Sequence, residues 1–247
     1  ALSSNTTGGY NAAFGNSSMN ANTTGDNNIA IGHLSLTANT TGTRNIALGS
    51  GALDAPDTEN DNLAIGYDAL GGSIAGGEFN VAVGNYSLDA NTEGDNNVAL
   101  GYAALSSNTT GTNNTAVGKD ALASNTTGLK NVGLGYLGLN ANTTGYANTS
   151  VGTETLIANT TGEYNIGMGY EALNSNTTGD NNVGIGRAAG DVITTGQKNI
   201  IIGSDADPSA ASGENQVVIG YEAVGTADNQ VVLGNSSTTQ WVPGTAD

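Results

Sequence analysis

Asn97-Val98-Ala99-Leu100-Gly101 is one copy of a five-residue motif that returns along the whole chain. Most copies read asparagine, apolar, small, apolar, glycine. The closing glycines are Gly15, Gly32, Gly49, Gly66, Gly84, Gly101, Gly118, Gly135, Gly152, Gly169, Gly186, Gly203, Gly220 and Gly234. Of the 13 intervals between them, 11 are 17 residues, one is 18 and the last is 14. A fixed short period predicts a solenoid, in which each repeat forms one coil.

The length of the repeat indicates the shape of each coil. Seventeen residues are too few for a strand, a helix and two connections, but they suffice for two short strands and two turns. The sequence therefore predicts an all-β fold, a parallel β-solenoid or β-roll with about 14 coils of 17 residues. With about 4.8 Å between coils, the rod would be on the order of 65 Å long.

The repeat leaves no shift in composition at which the chain could be divided. We predict a repeat β-roll segment over residues 1–234 and a non-repeating C-terminal exit segment over residues 235–247. Ala1-Leu2 matches the middle of a repeat. We therefore expect the sequence to be a fragment of a longer chain.

Composition and charge exclude several classes of partner. The net charge is −17, with only five lysines and arginines, so we expect no binding to nucleic acid or to anionic membrane surfaces. No apolar run approaches the ~20 residues that cross a bilayer, so membrane insertion is not expected. The chain has no cysteine and therefore no disulfide framework.

Within one coil, we number the positions 1 to 17 from the motif asparagine. Positions 1 to 4 alternate and favour Val, Ile and Leu, which predicts a strand. A second strand is predicted around positions 7 to 9, and Asn-Thr-Thr-Gly at positions 12 to 15 is typical of a turn. The anchor of the second strand is a leucine at position 9: Leu53, Leu70, Leu88, Leu105, Leu122, Leu139, Leu156 and Leu173.

Side chains alternate across a strand, so position 3 points away from positions 2 and 4. We expect positions 2, 4 and 9 to fill the interior and position 3, which never carries a charge, to face a neighbouring chain. The alternative places position 3 inside and positions 2 and 4 at the interface; both interpretations require an oligomer. The predicted trimer-interface residues are Ala30, Ala47, Ala64, Ala82, Ala99, Ala116, Ile201, Val218 and Val232.

The motif asparagines recur at position 1, where stacked amides can form a continuous hydrogen-bonded ladder. We assign this ladder a structural role. Its members are Asn28, Asn45, Asn62, Asn80, Asn97, Asn114, Asn131, Asn148, Asn165, Asn182 and Asn199, and Gln216 and Gln230 keep an amide in the last two coils.

The sequence contains no candidate catalytic, cofactor-binding or metal-binding residues. There is one histidine, and the acidic residues recur singly or in pairs along solvated columns, so we expect no enzyme activity, cofactor or metal. Tyrosines at position 6 form an outward stripe that could stack on sugar rings. The alternative is that they cover the neighbouring coil. These candidates are Tyr67, Tyr102, Tyr136, Tyr170 and Tyr221.

Two resemblances follow from the repeat. The motif Asn28-Ile29-Ala30-Ile31-Gly32 and the stretch Gly225–Gly234 resemble the head repeats of trimeric autotransporter adhesins. That resemblance implies a left-handed β-roll, a trimer of three chains and binding to host surfaces. The fuller unit, Asn-Thr-Thr-Gly-x-x-Asn-x-Ala-x-Gly-Tyr-x-Ala-Leu, resembles phage tail fibre repeats more closely. The stretch Leu233–Thr239 is similar to the approach to the C-terminal region of such fibres, which is often a chaperone domain.

Three functions remain as hypotheses. We expect first a homotrimeric structural protein, a phage tail fibre shaft or head, extracellular on the virion, that presents or spaces the binding of a host cell-surface receptor, with glycans among the candidates. The second is the head of a bacterial trimeric autotransporter adhesin at the cell surface. The third is a monomeric ice- or glycan-binding β-solenoid that uses threonines at positions 13 and 14, such as Thr109 and Thr110, as a flat array.

Overall fold

A computed structural model describes residues 1–55, 58–72 and 77–238. Each repeat contributes one strand of three residues, on positions 2 to 4. The strands are β1 Ala12–Phe14, β2 Ile29–Ile31, β3 Ile46–Leu48, β4 Leu63–Ile65, β5 Val81–Val83, β6 Val98–Leu100, β7 Thr115–Val117, β8 Val132–Leu134, β9 Thr149–Val151, β10 Ile166–Met168, β11 Val183–Ile185, β12 Ile200–Ile202, β13 Val217–Ile219 and β14 Val231–Leu233.

The strands form one parallel sheet in which each strand pairs with the next along the chain, from β1 to β14. Residues at the same repeat position lie opposite each other, as Val98 does with Thr115 and Ala99 with Ala116. The prediction of an all-β parallel solenoid with coils about 17 residues apart is therefore confirmed. At about 4.8 Å per strand, the sheet is about 60 Å long.

The predicted second strand does not form in the described residues, and this prediction is wrong. Positions 7 and 9 adopt left-handed backbone conformations, with φ of 52° at both Ala103 and Leu105. Such conformations cost a non-glycine residue about 1–2 kcal/mol. The cost is offset because each turn still bonds to its neighbours: Ala103 N donates to Asn85 O and Leu105 N donates to Ala121 O, both at 3.0 Å.

The glycine that closes each motif allows neighbouring coils to stack at this turn. Gly101 has φ of 144°, and a Cβ atom there would lie 2.4 Å from the carbonyl oxygen of Gly118 in the next coil. Only glycine tolerates both the left-handed φ region and the close backbone contact. The recurrence of this residue therefore has a steric cause.

The orientation of the strand is the reverse of the main prediction. Position 3 points into the coil of its own chain and builds the core with positions 8 and 9, as Ala99, Ala104 and Leu105 do. The proposed interface residues Ala30, Ala47, Ala64, Ala82, Ala99, Ala116, Ile201 and Val218 are fully buried within the single chain, and Val232 packs partly buried against the same core. Positions 2 and 4 face outward, as in the alternative interpretation.

The narrow interior explains why position 3 is small. The leucine at position 9 lies against position 3 of the following coil: a Cβ atom on Gly133 would be 3.3 Å from Leu122 Cγ. Where the leucine is absent, position 3 is larger, since Gly190 lies against Ile201. Such size pairing keeps the interior filled, as close packing requires.

Candidate functional site

The outward face of the sheet is a continuous apolar surface, which we call the apolar face. It consists of positions 2 and 4 of strands β1 to β14, two side chains wide. Every residue in these two columns is apolar except Thr115 and Thr149. Ile31, for example, exposes 46% of its surface and Met168 exposes 42%. Polar side chains do not interrupt the face along its ~60 Å length apart from these two threonines.

The asparagines at position 1 lie inside the coil and form a hydrogen-bonded column. Asn97 N donates to Asn80 Oδ1 at 2.9 Å, and Asn97 Nδ2 donates to Gly111 O at 2.8 Å. The same pattern recurs from Asn28 to Asn199, and Gln216 N donates to Asn199 Oδ1. Each side-chain amide thus accepts from the backbone of the following coil, as Asn97 Oδ1 does from Asn114 N, and donates to the Asn-Thr-Thr-Gly turn, and these side chains are buried.

A second column of asparagines at position 12 is also buried. Asn125 Nδ2 donates to Asn108 Oδ1 at 2.8 Å in the previous coil and to Gly128 O at 3.1 Å in its own turn. These asparagines head Asn-Thr-Thr sequences, which match the glycosylation sequon. Because their amides are buried and bonded, the sequons at Asn108 and Asn125 serve the turn and are not accessible in the folded chain.

The threonines of the third functional hypothesis do not form an array on a sheet. Thr109 and Thr110 lie in a bend of the Asn-Thr-Thr-Gly turn, and no strand runs through that turn. Thr109 Oγ1 donates to Thr126 O at 3.0 Å, so this hydroxyl is used between coils. Thr110 is exposed, but it stands in the same bend and not on a strand.

The tyrosines at position 6 lie next to the closing glycines and all face solvent. The exposed residues are Tyr67, Tyr102, Tyr136, Tyr170 and Tyr221. Tyr86, at position 7, joins this stripe, because its ring centroid lies 5.5 Å from that of Tyr67 and 5.8 Å from that of Tyr102. Lys119 continues the stripe, with Nζ 6.0 Å from the Tyr102 ring and 5.7 Å from the Tyr136 ring.

Carboxylates at position 7 lie next to several of these tyrosines and raise the pKa of their hydroxyls. The pairs are Tyr67 with Asp68, Tyr170 with Glu171 and Tyr221 with Glu222. The charge of Asp68 and its hydrogen bond raise the pKa of Tyr67 above its usual value, because both oppose a phenolate. The neutral hydroxyl therefore stays a donor, and the paired carboxylate restricts the ring.

One acidic side chain occupies a position that leucine holds in most coils. Asp207 stands at position 9, and its Oδ1 atom is buried without a hydrogen-bond partner. Burial, followed by the charge of Asp191, raises the pKa of Asp207 to about 6. Burial also raises the pKa of Asp191. This acidic pair was missed from sequence, although the loss of the position-9 leucine was a visible signal.

The described parts of the chain contain no group of three or more His, Cys, Asp or Glu side chains arranged to hold a metal ion. In the same residues no helix has the length and apolar character needed to cross a membrane.

Comparison of the chain with models of known protein families gave no match, and comparison with curated protein sequences gave none either.

Proposed function

We propose that the chain is a non-enzymatic segment of a homotrimeric extracellular fibre, most simply a phage tail fibre shaft or head that spaces or presents host receptor binding. In this assembly three copies pack their apolar faces around a common axis. A left-handed coil, as in the fibres that the repeat resembles, belongs to the same proposal.

The exposed apolar face is the observation that carries the proposal. A face about 60 Å long and about 10 Å wide covers on the order of 600 Å², which is the upper end of the patches found on monomeric proteins. Purely parallel sheets are almost always covered on both sides. In this chain the core covers the inner side of the sheet. A second copy of the chain could cover the outer side along its whole length, because its coils repeat at the same spacing.

The narrow apolar face is compatible with a trimer. Each strand presents only two outward side chains, as Ile166 and Met168 do on β10. Three narrow faces can all be buried around one axis, where each chain contacts the two others in a closed cyclic arrangement. The number three itself comes from the resemblance to trimeric fibres.

Sedimentation equilibrium of the chain in solution tests this proposal. The expected mass is three times the 24.4 kDa of one chain. Replacing Ile166→Asp together with Met168→Asp should dissociate the trimer, because six charges would meet at the axis. Thr161→Asp, in an exposed turn, is the matched control and should leave the mass unchanged. A soluble monomer of the unaltered chain at micromolar concentration would contradict the proposal.

The head of a bacterial trimeric adhesin is the alternative, since it would use the same face. The complete gene product separates the two: a chaperone domain after Asp247 favours a phage fibre, whereas a coiled-coil stalk and a membrane barrel favour an adhesin. Antibodies raised against the chain would label virion tails in the first case and cell surfaces in the second.

A further inference from the structure

The tyrosine stripe has a period of two coils, twice that of the fold. Position 6 is tyrosine in alternate coils and a polar hydrogen-bonding residue in the coils between. The alternating residues are Tyr67, Asn85, Tyr102, Lys119, Tyr136, Thr153, Tyr170 and Arg187. Because equivalent positions stack along the sheet, the tyrosines lie on a line parallel to the axis, about 9.5 Å apart. The repeat fold itself does not require this alternation.

Five consecutive coils join their side chains into one surface, which we call the tyrosine platform. It consists of Tyr67, Tyr86, Tyr102, Lys119 and Tyr136. The rings of Tyr67, Tyr86 and Tyr102 contact one another edge to face, and Lys119 lies between Tyr102 and Tyr136. All four tyrosines are exposed, although packing against neighbours already limits their rotation. A rigid, exposed aromatic surface loses little entropy when a ligand binds.

Carboxylates beside the platform provide hydrogen-bond acceptors for a ligand rich in hydroxyls. Asp68 follows Tyr67 in the sequence and raises the pKa of its hydroxyl, and Asp120 lies 3.5 Å from Lys119 Nζ. The negative charges of Asp68 and Asp120 also balance the positive charge of Lys119, so the platform has no excess of positive charge. On a chain with a net charge of −17, this arrangement disfavours an acidic ligand.

We propose that the tyrosine platform binds a linear, neutral polysaccharide of the cellulose or chitin type, laid parallel to the solenoid axis with one disaccharide for every two coils. In such chains successive sugars are turned over, so the same sugar face recurs at every second unit. Two coils span about 9.5 Å, which is close to the length of one disaccharide in these chains. The position-6 tyrosine rings stack on the apolar sugar faces, while Tyr86 and Lys119, which lie between those tyrosines, meet the intervening sugars.

This inference deepens the proposed host-attachment function, because it names the ligand class of a fibre that meets a cell surface. Calorimetry with cello- and chito-oligosaccharides of two, four and six sugars tests it. Affinity should increase with each added disaccharide. Tyr102→Ala should lower the affinity for the hexamer about tenfold, and Tyr102→Phe should retain it. The matched control is Tyr164→Ala, since Tyr164 is equally exposed and also contacts another ring, that of Tyr146, but lies outside the platform.

Three results would overturn the inference. They are the absence of binding to all neutral oligomers, stronger binding to acidic oligomannuronates of equal length, and binding that Tyr102→Ala and Tyr164→Ala weaken equally. Protection of the platform tyrosines from acrylamide quenching in the assembled protein would also overturn it, since a neighbouring chain would then cover them. The mass of the same samples keeps the two proposals apart: a trimer that binds no sugar refutes only the platform, and a monomer that binds refutes only the trimer.

Discussion

Leu173 fills the space that Gly184 leaves inside the coil, so that a Cβ atom on Gly184 would lie 2.7 Å from Leu173 Cγ. One coil later Gly190 stands in place of the leucine, and Leu173, Ile193 and Ile201 together fill the space beside it. The core is therefore built from pairs that span two coils, with one large and one small partner in each. The effect of a core substitution on stability should therefore depend on the size of its partner in the neighbouring coil.

Exchanging the members of one pair tests this relationship. Gly184→Ile alone should destabilise the fold by about 1–3 kcal/mol through overpacking, and Leu173→Gly alone should cost about 2–5 kcal/mol through the cavity. The double variant reproduces the Gly190 and Ile201 pair and should recover at least 1 kcal/mol relative to the sum. Denaturant unfolding measures all three. Strictly additive effects would show that the pair does not share one space.

The asparagine column should contribute strongly to stability. Asn131 Oδ1 accepts from Asn148 N at 2.9 Å, and Asn131 Nδ2 donates to Gly145 O at 2.7 Å. Asn131→Ala leaves the buried Asn148 N without its acceptor, and Gly145 O keeps only the longer bond from Asn142 Nδ2 at 3.3 Å, which together should cost about 1–3 kcal/mol. Asn16→Ala is the control, because Asn16 is exposed and its Oδ1 accepts from Ser17 Oγ at 2.9 Å on the surface. Equal unfolding midpoints for the two variants would contradict a structural role for the column.

The C-terminal coils should lose stability as the pH rises through the range in which Asp207 ionises. Its pKa of about 6 lies above the value of about 3.9 in an unfolded chain, so the folded state holds the proton more tightly. This contribution is complete below about pH 4, decreases as the pH rises, and is lost above about pH 6. It should amount to about 1 kcal/mol, because the carboxyl is half exposed and solvent screens it.

Hydrogen exchange in the coil that contains Asp207, corrected for the intrinsic rate, measures this effect. The charged groups near Asp207 are Asp191 and Asp205, and the negative charge of each raises the pKa of Asp207. Asp205 is itself paired with Arg187. Asp207→Asn should remove the pH dependence, and Asp207→Leu, which restores the usual residue, should stabilise these coils at pH 7. An unchanged pH dependence in Asp207→Asn would assign it to other groups.

The repeat period sufficed to predict the class of fold and the register between coils, because equivalent positions of a fixed repeat stack on one another. The strand predicted at positions 1 to 4 forms at positions 2 to 4. The period did not determine which side of the strand faces inward. A run such as Val98-Ala99-Leu100 alternates equally well in either orientation, and the three-residue strand is too short to resolve it. The informative signal was the pairing of sizes between positions 9 and 3, as at Gly190 and Ile201.

The second strand was mispredicted for a backbone reason. Leu105 reaches the core in a left-handed conformation, which residue propensities do not indicate for leucine. Cross-coil hydrogen bonds and burial of the leucine outweigh the local preference. Of the candidate sites, the tyrosines at position 6 were predicted to face outward from their place after the closing glycine. Tyr86 was missed because it stands one position later in the repeat.

Oxidation of the two methionines tests most directly whether sister chains cover the apolar face. Met19 lies at position 9, fully buried inside its coil, whereas Met168 lies at position 4 on the apolar face and exposes 42% of its surface in the single chain. Peroxide modifies methionine according to its exposure. In the assembled protein, Met168 should be oxidised as slowly as Met19. Rapid oxidation of Met168 while Met19 stays protected would mean that solvent reaches the face, and would contradict the trimer.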